Sequence, residues 1–399
     1  MTKSAVNKGA LLVLNSGSSS VKFSIFQLEG GAVEPLFAGQ LTGIGTDAVL
    51  KAKSEAGELL AKESWAEYDK GNVPSILPHL LEWIEKNLPA DLPLIGAGHR
   101  VVHGGEKFDK PVLVEGSVLE ELASFSPLAP LHQPQNVAAI KALADSRPEL
   151  PQVACFDTAF HQTMPEISTT YAIPKRFTEA GVRRYGFHGL SYEYIAHNLS
   201  ETKPDLAKGR VVVAHLGNGA SLTGLKNGVS IDTSMGFSAL EGVPMGTRPG
   251  SIDPGILIYL MRENGMDADD LEKVLYHESG LLGVSGISND MRDLEDNTDP
   301  AAVLAVDLFC SRVAKQIASL AVSIGGIDAL VFTAGIGEHG PILRKKVLDM
   351  LGWMGFAIDD AKNDANAHEI SAEGSIPTFI IPTDEEVMIA RHTVRLLTA

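Results

Sequence analysis

The sequence predicts an α/β protein with two similar domains, and two observations support this fold class. Strand-like apolar runs alternate with helical patterns along the chain, which is typical of layered α/β folds. Two segments, 11–26 and 211–231, also share one pattern, in which an apolar strand is followed by a Gly/Ser/Asn turn and a second strand. Turns without large side chains bring backbone N–H groups close to phosphates. The duplication therefore predicts two domains that close on one nucleotide, as in a kinase or an ATPase.

The elements of the first half follow from apolar periodicity. After the hairpin at 11–26, residues Ile76, Leu77, Leu80, Leu81 and Ile84 recur at helical spacing and predict an amphipathic helix at 75–88. Continuous apolar runs predict buried strands at 94–102 and 152–156, and a helical pattern between them predicts a helix at 135–144 that stops before Arg147-Pro148.

The second half repeats this alternation. The predicted elements are an irregular stretch at 168–186, a helix at 191–200, the hairpin at 211–231, a long helix at 301–324 ended by Gly325-Gly326, a strand at 329–333, a Gly turn, a helix from Pro341, a strand at 378–381 and a final helix at 385–397. We expect residues 1–157 to form the first domain and residues 158–385 the second, with 386–399 returning to the first.

Composition excludes several classes of function. The chain has 399 residues, enough for two cores, and its net charge of −17 argues against a nucleic-acid or anionic membrane surface. Cys155 and Cys310 lie in apolar stretches and are interpreted as core residues, with a reactive thiol as the alternative. The sequence has no signal-peptide pattern and no run of the roughly 20 apolar residues that a membrane span needs. We expect a cytoplasmic protein with small-molecule partners.

The first hairpin turn carries polar groups suited to a phosphate. Residues Asn15-Ser-Gly-Ser-Ser-Ser-Val-Lys22 offer hydroxyls, backbone donors, an amide oxygen and one cation. Lys22 would bind phosphate as a point charge, and Asn15 could contact a hydrated Mg²⁺. An ordinary polar turn is the alternative. The sequence lacks the Gly-x-x-x-x-Gly-Lys-Ser/Thr pattern, so it is not that of a P-loop NTPase.

A second glycine pattern, Gly335-Ile-Gly-Glu-His-Gly340, follows a predicted strand and precedes a predicted helix. It matches the dinucleotide fingerprint, and Asp359 or Asp360 lies near the offset of a ribose-binding acid. The pattern comes late in the chain, however, and a dinucleotide fold would leave both hairpins unexplained. We favour a nucleotide-contacting segment over an oxidoreductase.

Charged side chains beside glycines or strand ends are candidate ligand contacts. Arg100 and Arg248 have glycine neighbours, and guanidinium binds carboxylate or phosphoryl oxygens in pairs; a surface ion pair is the alternative. Asp157 follows a buried strand, where α/β proteins bind ligands, and a helix N-cap or loop acid is the alternative. His188 lies between Phe187 and Gly189 and is either a site residue or a core histidine.

Together these motifs resemble the acetokinase family of the sugar kinase/Hsp70/actin superfamily. The matching segments run in the family's order over nearly the whole chain: 15–22, 98–105, 156–161, 184–191, 215–219, 246–248, 290–292, 335–339 and 384–386. The resemblance implies two actin-like (ribonuclease H-like) domains, each with a mixed five-stranded sheet, a cleft between them, and a homodimer.

The resemblance also implies roles for individual residues. Asn15 and Glu385 would hold Mg²⁺, with Mn²⁺ as an alternative, and Arg100 would bind acetate. Asp157 occupies the position that the family labels acid/base, and His188 and Arg248 would stabilise the transition state. ATP or ADP would contact Lys22, His215, Leu216, Gly217, Asn218, Gly219, Asp290, Met291, Arg292, Gly335, Ile336, Gly337, Glu338 and His339.

The implied reaction is reversible transfer of the ATP γ-phosphoryl group to acetate, giving acetyl phosphate and ADP. An acetate-like carboxyl group, with a pKa of about 4.3, is already ionised, so we expect Asp157 to orient the acceptor or a metal-bound water rather than act as a strong base. By resemblance, Val102, Leu131 and Phe187 line a pocket for the methyl group. A branched Val102 favours acetate, and a propionate kinase is the alternative. A non-enzymatic or chaperone-like ATPase of the same superfamily is a further hypothesis.

Overall fold

A computed structural model describes residues 8–17 and 19–398 of the chain. Ser18, in the first predicted phosphate-binding turn, lies outside the described residues. The chain separates into two compact units. The first unit contains the described residues up to Phe160 and those from Asp384 onward, and the second contains His161–Thr383. The predicted domain boundaries at 157/158 and 385/386 stay a prediction.

The secondary structure alternates between strands and helices. The strands are β1 (Lys8–Ser16), β2 (Ser20–Glu29), β3 (Ala32–Thr42), β4 (Val49–Ser54), β5 (Leu59–Ser64), β6 (Leu94–Val101), β7 (Val112–Leu113), β8 (Gln152–Phe156), β9 (Arg210–Leu216), β10 (Ala220–Lys226), β11 (Val229–Thr233), β12 (Ala329–Thr333) and β13 (Thr378–Ile380). The helices are α1 (Val73–Asn87), α2 (Val118–Ser124), α3 (Gln133–Ser146), α4 (Glu166–Thr169), α5 (Lys175–Thr178), α6 (Gly189–Thr202), α7 (Pro204–Ala207), α8 (Pro254–Glu263), α9 (Ala268–His277), α10 (Gly280–Ser285), α11 (Met291–Leu294), α12 (Pro300–Ile324), α13 (Ala334–His339), α14 (Pro341–Met350), α15 (Asp360–Asp364) and α16 (Glu385–Thr398).

Both sheets contain the same arrangement of five strands. In the first unit, β3-β2-β1 form an antiparallel meander, and β6 and β8 continue the sheet in parallel to β1. In the second unit, β11-β10-β9 form the meander, and β12 and β13 continue it in parallel to β9. The predicted pair of similar mixed sheets is therefore confirmed.

The first sheet is larger than predicted. It has the order β5-β4-β3-β2-β1-β6-β8-β7, because β4 and β5 extend one edge and β7 pairs at the other. The expected five strands are its central part, so the prediction of five strands was wrong for this unit. The second sheet has five strands in the order β11-β10-β9-β12-β13.

The C-terminal helix packs on the first sheet, where two glycines of β6 make room for it. A Cβ at Gly96 would lie 2.5 Å from the Leu397 side chain, and one at Gly98 would lie 2.5 Å from that of Ile389. Those distances are too short for non-bonded carbon atoms, so this close approach requires glycine. The packing fixes the start of α16, and with it Glu385, in the same unit as β6.

Most predicted elements are confirmed with small shifts of their ends. The largest difference concerns 335–340, which was expected to be a Gly turn. The structure has the short helix α13 there, entered through Ala334 with a φ of 64° and closed by a hydrogen bond from the Gly340 amide to the Ile336 carbonyl. Among the described residues, no helix is both long and apolar enough to cross a lipid bilayer.

Candidate active site

The first unit brings Arg100 and Asp157 together through the pairing of two parallel strands. Arg100 lies near the end of β6 opposite Cys155 of β8, and the Asp157 amide donates to the Val101 carbonyl. The Arg100 guanidinium donates from Nε to Oδ1 of Asp157 at 2.9 Å and from Nη2 to Oδ2 at 2.7 Å. Its Nη1 lies 3.1 Å from Oε2 of Glu385 at the start of α16. One arginine therefore contacts two carboxylates.

This cluster carries more negative than positive charge. Burial by itself lowers the pKa of Arg100, but Asp157 and Glu385 raise it above the ordinary arginine value. Burial, reinforced by the charges of Asp157 and Glu386, raises the pKa of Glu385 to about 7 against the opposing effect of Arg100. The side chains of Asp157 and Glu385 are only 3% and 13% exposed, so water screens the excess negative charge weakly.

The predicted metal ligands Asn15 and Glu385 carry oxygen donors of the kind that a hydrated divalent cation takes. Among the described residues, no group of three or more His, Cys, Asp or Glu side chains could hold a metal ion as a complete cage. Mg²⁺ usually keeps several waters and needs only one or two protein oxygen ligands. Asn15, half-buried near the end of β1, offers an amide oxygen, and Glu385 offers a carboxylate in a cluster with excess negative charge.

The remaining predicted residues of the first unit are Lys22, Val102 and Leu131. The Val102 amide donates to Oδ1 of Asn136 at 3.0 Å, and Nδ2 of Asn136 donates to the Ser16 carbonyl at 2.9 Å, which ties the ends of β6 and β1 together. Val102 and Leu131 are half-buried. Lys22 is exposed on β2, in register with Asn15. Phe187 belongs to the second unit and is buried there, so the methyl pocket stays a prediction.

The second unit has a cluster built on histidines. His188 precedes α6 with a φ of 57°, a left-handed conformation that is uncommon for residues other than glycine. Its Nδ1 lies 2.9 Å from the hydroxyl of the buried Ser221, which also contacts the Tyr192 hydroxyl at 2.6 Å. The His188 ring stacks on His215 with 4.2 Å between centroids. These contacts hold the imidazole in one orientation.

His188 and Arg248 both face Gly219 in the turn between β9 and β10. A Cβ at Gly219 would lie 2.8 Å from Nη2 of Arg248 and 3.4 Å from Nε2 of His188, so any side chain here would displace one of them. Burial lowers the pKa of Arg248, and its Nη1 donates to the Ala239 carbonyl at 2.9 Å. In the described part of the chain, Arg248 forms no ion pair with a carboxylate. This turn is thus lined by donors suited to an anion.

A cavity of about 470 Å³ opens beside the same turn. Its volume is within the usual range of ligand pockets. Three separate segments line it: Gly217, Asn218, Asn289, Asp290, Met291, Arg292, Glu295, Gly335, Ile336, His339 and Gly340. The predicted nucleotide residues His215, Leu216, Gly219, Gly337 and Glu338 are neighbours of these segments and do not line the cavity. Lys22 belongs to the first unit.

Sequence reasoning missed the residues that support this cavity. Asn289 and Glu295 line it without belonging to a motif, and Gly340 closes the second glycine pattern without having been predicted as a contact; each lies within three residues of a predicted contact. Arg344 is fully buried and donates from Nη1 to the Gly337 carbonyl at 2.8 Å, which fixes α13. Arginine is rarely fully buried in proteins, so no sequence pattern indicates this role for Arg344.

A further missed group supports the loop before Arg248. Arg184 donates to Glu241 at 2.8 Å and to the carbonyl oxygens of Thr233, Ser234 and Met235. The Tyr171 hydroxyl donates to the other oxygen of Glu241. This group therefore fixes both ends of a loop that includes Ala239, the hydrogen-bond acceptor for Arg248.

Two mixed α/β sheets, together with a ligand-sized cavity beside a half-buried histidine and arginine, are features of a phosphotransferase with the actin-like fold. The chain belongs to the Acetokinase family, whose sequence model matches residues 10–391. An acetate kinase of Nitrobacter hamburgensis is 49% identical over 390 residues, which cover 97% of this chain and 96% of that protein.

Solved structures agree with this assignment. A propionate kinase from Francisella tularensis has a TM-score of 0.91 at 39% identity and covers 97% of this chain and 100% of its own. The acetate kinase of Porphyromonas gingivalis has a TM-score of 0.88 at 37% identity and covers 98% of this chain and 100% of its own. The predicted family and fold are therefore confirmed.

Proposed function

We propose that this protein transfers the γ-phosphoryl group of ATP to acetate, reversibly, forming acetyl phosphate and ADP. The observation that carries the proposal is the cavity of about 470 Å³ whose lining comes from all three segments expected to bind the nucleotide in the second unit. It lies beside the turn that His188 and Arg248 face. Membership of the Acetokinase family supports the same reaction.

Phosphoryl transfer depends on positioning and on neutralising charge more than on covalent chemistry. Arg248 and His188 are suited to stabilise the negative charge on the transferred group, since their side chains converge beside a glycine turn. Arg100 is suited to bind the acceptor carboxylate through N–H groups not used by Asp157 or Glu385. Asn15 and Glu385 would hold Mg²⁺, and the ion would supply further neutralisation of negative charge when bound.

The contacts of Asp157 support an orienting role rather than that of a strong base. Both of its carboxylate oxygens accept hydrogen bonds from Arg100. The acceptor acid is ionised near neutral pH and needs no deprotonation. We therefore infer that Asp157 holds the guanidinium of Arg100 in the orientation that binds the acceptor.

Trapping with hydroxylamine tests the proposed reaction directly. The protein, ATP, Mg²⁺ and acetate should yield acetyl hydroxamate, and omission of any one should abolish it. Absence of the product with the complete mixture would refute the proposal. Acetate should also have a higher kcat/KM than propionate, and the opposite order would favour a propionate kinase, as in the Francisella structural relative.

The proposed assembly is a homodimer, and the surface of α8 supports it. This ten-residue helix has no buried residue, although it is rich in apolar side chains. Ile256, Ile258, Tyr259 and Met261 are between 46% and 60% exposed. Contiguous exposed apolar surface is typical of interaction sites. Light scattering should give twice the chain mass, and Tyr259→Glu should shift the mass toward the monomer. The cytoplasmic location stays a prediction.

A further inference from the structure

The wall of the cavity contains a carboxylate oxygen without a hydrogen-bond donor. Oε2 of Glu295 is buried, and no described residue donates a hydrogen bond to it. Buried polar atoms in native proteins are nearly always hydrogen-bonded, and an unpaired acceptor is destabilising. Glu295 lines the cavity, so a ligand in the cavity could supply the missing donor.

Neighbouring residues do not satisfy this oxygen. Arg344 acts on Glu295 electrostatically, but its guanidinium donates to Asn363, Asn366 and the Gly337 carbonyl. On the other side lies Gly340, where a Cβ would be 3.8 Å from Oε2 of Glu295. Burial accordingly raises the pKa of the Glu295 carboxyl above its usual value.

The surroundings of Glu295 suit a flat aromatic base. Met291 is buried one helical turn before Glu295, and the Glu295 amide donates to its carbonyl at 2.9 Å. Met291 and Ile336 provide apolar cavity walls. Asn218, in contrast, lies next to the glycine turn that His188 and Arg248 face. Phosphates are expected beside that turn, which leaves the region of Met291, Ile336 and Glu295 for the base.

We propose that Glu295 determines base specificity by accepting a hydrogen bond from the exocyclic amine of adenine. This inference rests on the proposed use of ATP. One enclosed oxygen matches one amine donor, whereas the amide edge of guanine presents two adjacent donors that suit both oxygens of a carboxylate. A base without the amine would leave the oxygen unpaired, and such mismatches discriminate more strongly than a missing methylene group.

The test compares ATP with purine riboside 5′-triphosphate, which lacks only the amine. For the unaltered protein, KM for the analogue should exceed KM for ATP by about 10-fold or more. Glu295→Met removes the acceptor at similar volume, and the two KM values should then converge. Glu295→Gln keeps an acceptor and should retain part of the discrimination. The exposed neighbour provides a control, because Asp296→Asn should behave like the unaltered protein.

Binding provides a second measurement that does not depend on turnover. Calorimetry with ADP and purine riboside diphosphate should show the same loss of discrimination in Glu295→Met. Persistent discrimination in this variant would overturn the proposal. The proposal would also be overturned if Glu295→Met lost the discrimination between ATP and 3′-deoxy-ATP instead, because Glu295 would then contact the ribose. Failure of the unaltered protein to form acetyl phosphate would refute the proposed reaction, while the binding measurement would still decide the role of Glu295.

Discussion

Arg100 in the first unit and Arg248 in the second are both half-buried arginines near glycines, yet their partners differ. Arg100 contacts two carboxylates, and its pKa is raised. Arg248 donates to one carbonyl oxygen, and burial lowers its pKa. The charge of Arg100 is compensated within the protein, whereas that of Arg248 has no carboxylate partner among the described residues.

The two arginines therefore represent two ways in which a protein can hold a cation for an anionic ligand. A compensated arginine is held rigidly, and its removal leaves carboxylates buried without a partner. An uncompensated arginine is unfavourable in the unliganded protein and is stabilised when an anion arrives. Removal of Arg100 should therefore affect stability and activity together, and removal of Arg248 should affect activity alone.

The largest effect is expected for Arg248→Met. Loss of a cation that stabilises a transferring phosphoryl group should lower kcat by about 10³-fold or more. The free energy of unfolding should stay the same or increase, because a buried charge without an ion pair is removed. Steady-state kinetics and urea unfolding would test both. A large loss of stability would show that the charge of Arg248 is compensated within the fold.

Arg100→Met should give the opposite pattern in stability. Asp157 is left buried without its guanidinium, so the free energy of unfolding should fall by about 3–5 kcal/mol. The double variant Arg100→Met/Asp157→Asn should recover much of the stability and none of the activity. If Arg100→Met unfolds at the urea concentration of the unaltered protein, the contrast between the two arginines is wrong.

Acid should destabilise the first unit through a buried histidine. Burial lowers the pKa of His99 to about 4, from 6.5 in the unfolded chain. The unfolded state therefore binds more protons at this histidine between those values. The contribution of His99 to stability, present in full above pH 6.5, should fall by up to about 3 kcal/mol as the pH falls to 4, while the raised pKa of Glu385 acts in the opposite direction. Fluorescence of the buried Trp65 during urea unfolding would follow this unit, and His99→Gln should reduce the slope, leaving the contribution of His103, whose pKa burial also lowers to about 4. If the unfolding free energy of His99→Gln changes with pH as steeply as that of the unaltered protein, the assignment to His99 is wrong.

The smallest effect is expected for Glu241→Gln in the second unit. The variant weakens the bond to Arg184 and loosens the loop whose Ala239 carbonyl holds Arg248. We expect kcat to fall about 10-fold with KM for ATP nearly unchanged, as for one charge-assisted hydrogen bond. The exposed Glu263→Gln is the matched control. An increase in KM alone would mean that the loop serves nucleotide binding instead.

Local patterns predicted much of the fold. The long helix was expected at 301–324 and is α12 at Pro300–Ile324, because Asp299 caps its start and Gly325 ends it with a φ of 81°. Strands β4 and β5 were missed because they are short and partly polar, and they exist as edge strands of a sheet formed by other segments. Such strands depend on tertiary pairing more than on their own sequence.

The sequence by itself determined the two hairpins, the order of the main elements and the family, since periodicity and motifs are properties of neighbouring residues. Only the tertiary structure decided which charges are compensated. Arg100 and Asp157 are 57 residues apart and meet because β6 and β8 pair in parallel, whereas no comparable pairing brings a carboxylate of the described residues to Arg248. Likewise, Glu295 belongs to no motif, and its unpaired oxygen lies close to Gly340 from a separate segment of the chain. Electrostatic energy depends on distance in space, which a linear pattern does not contain.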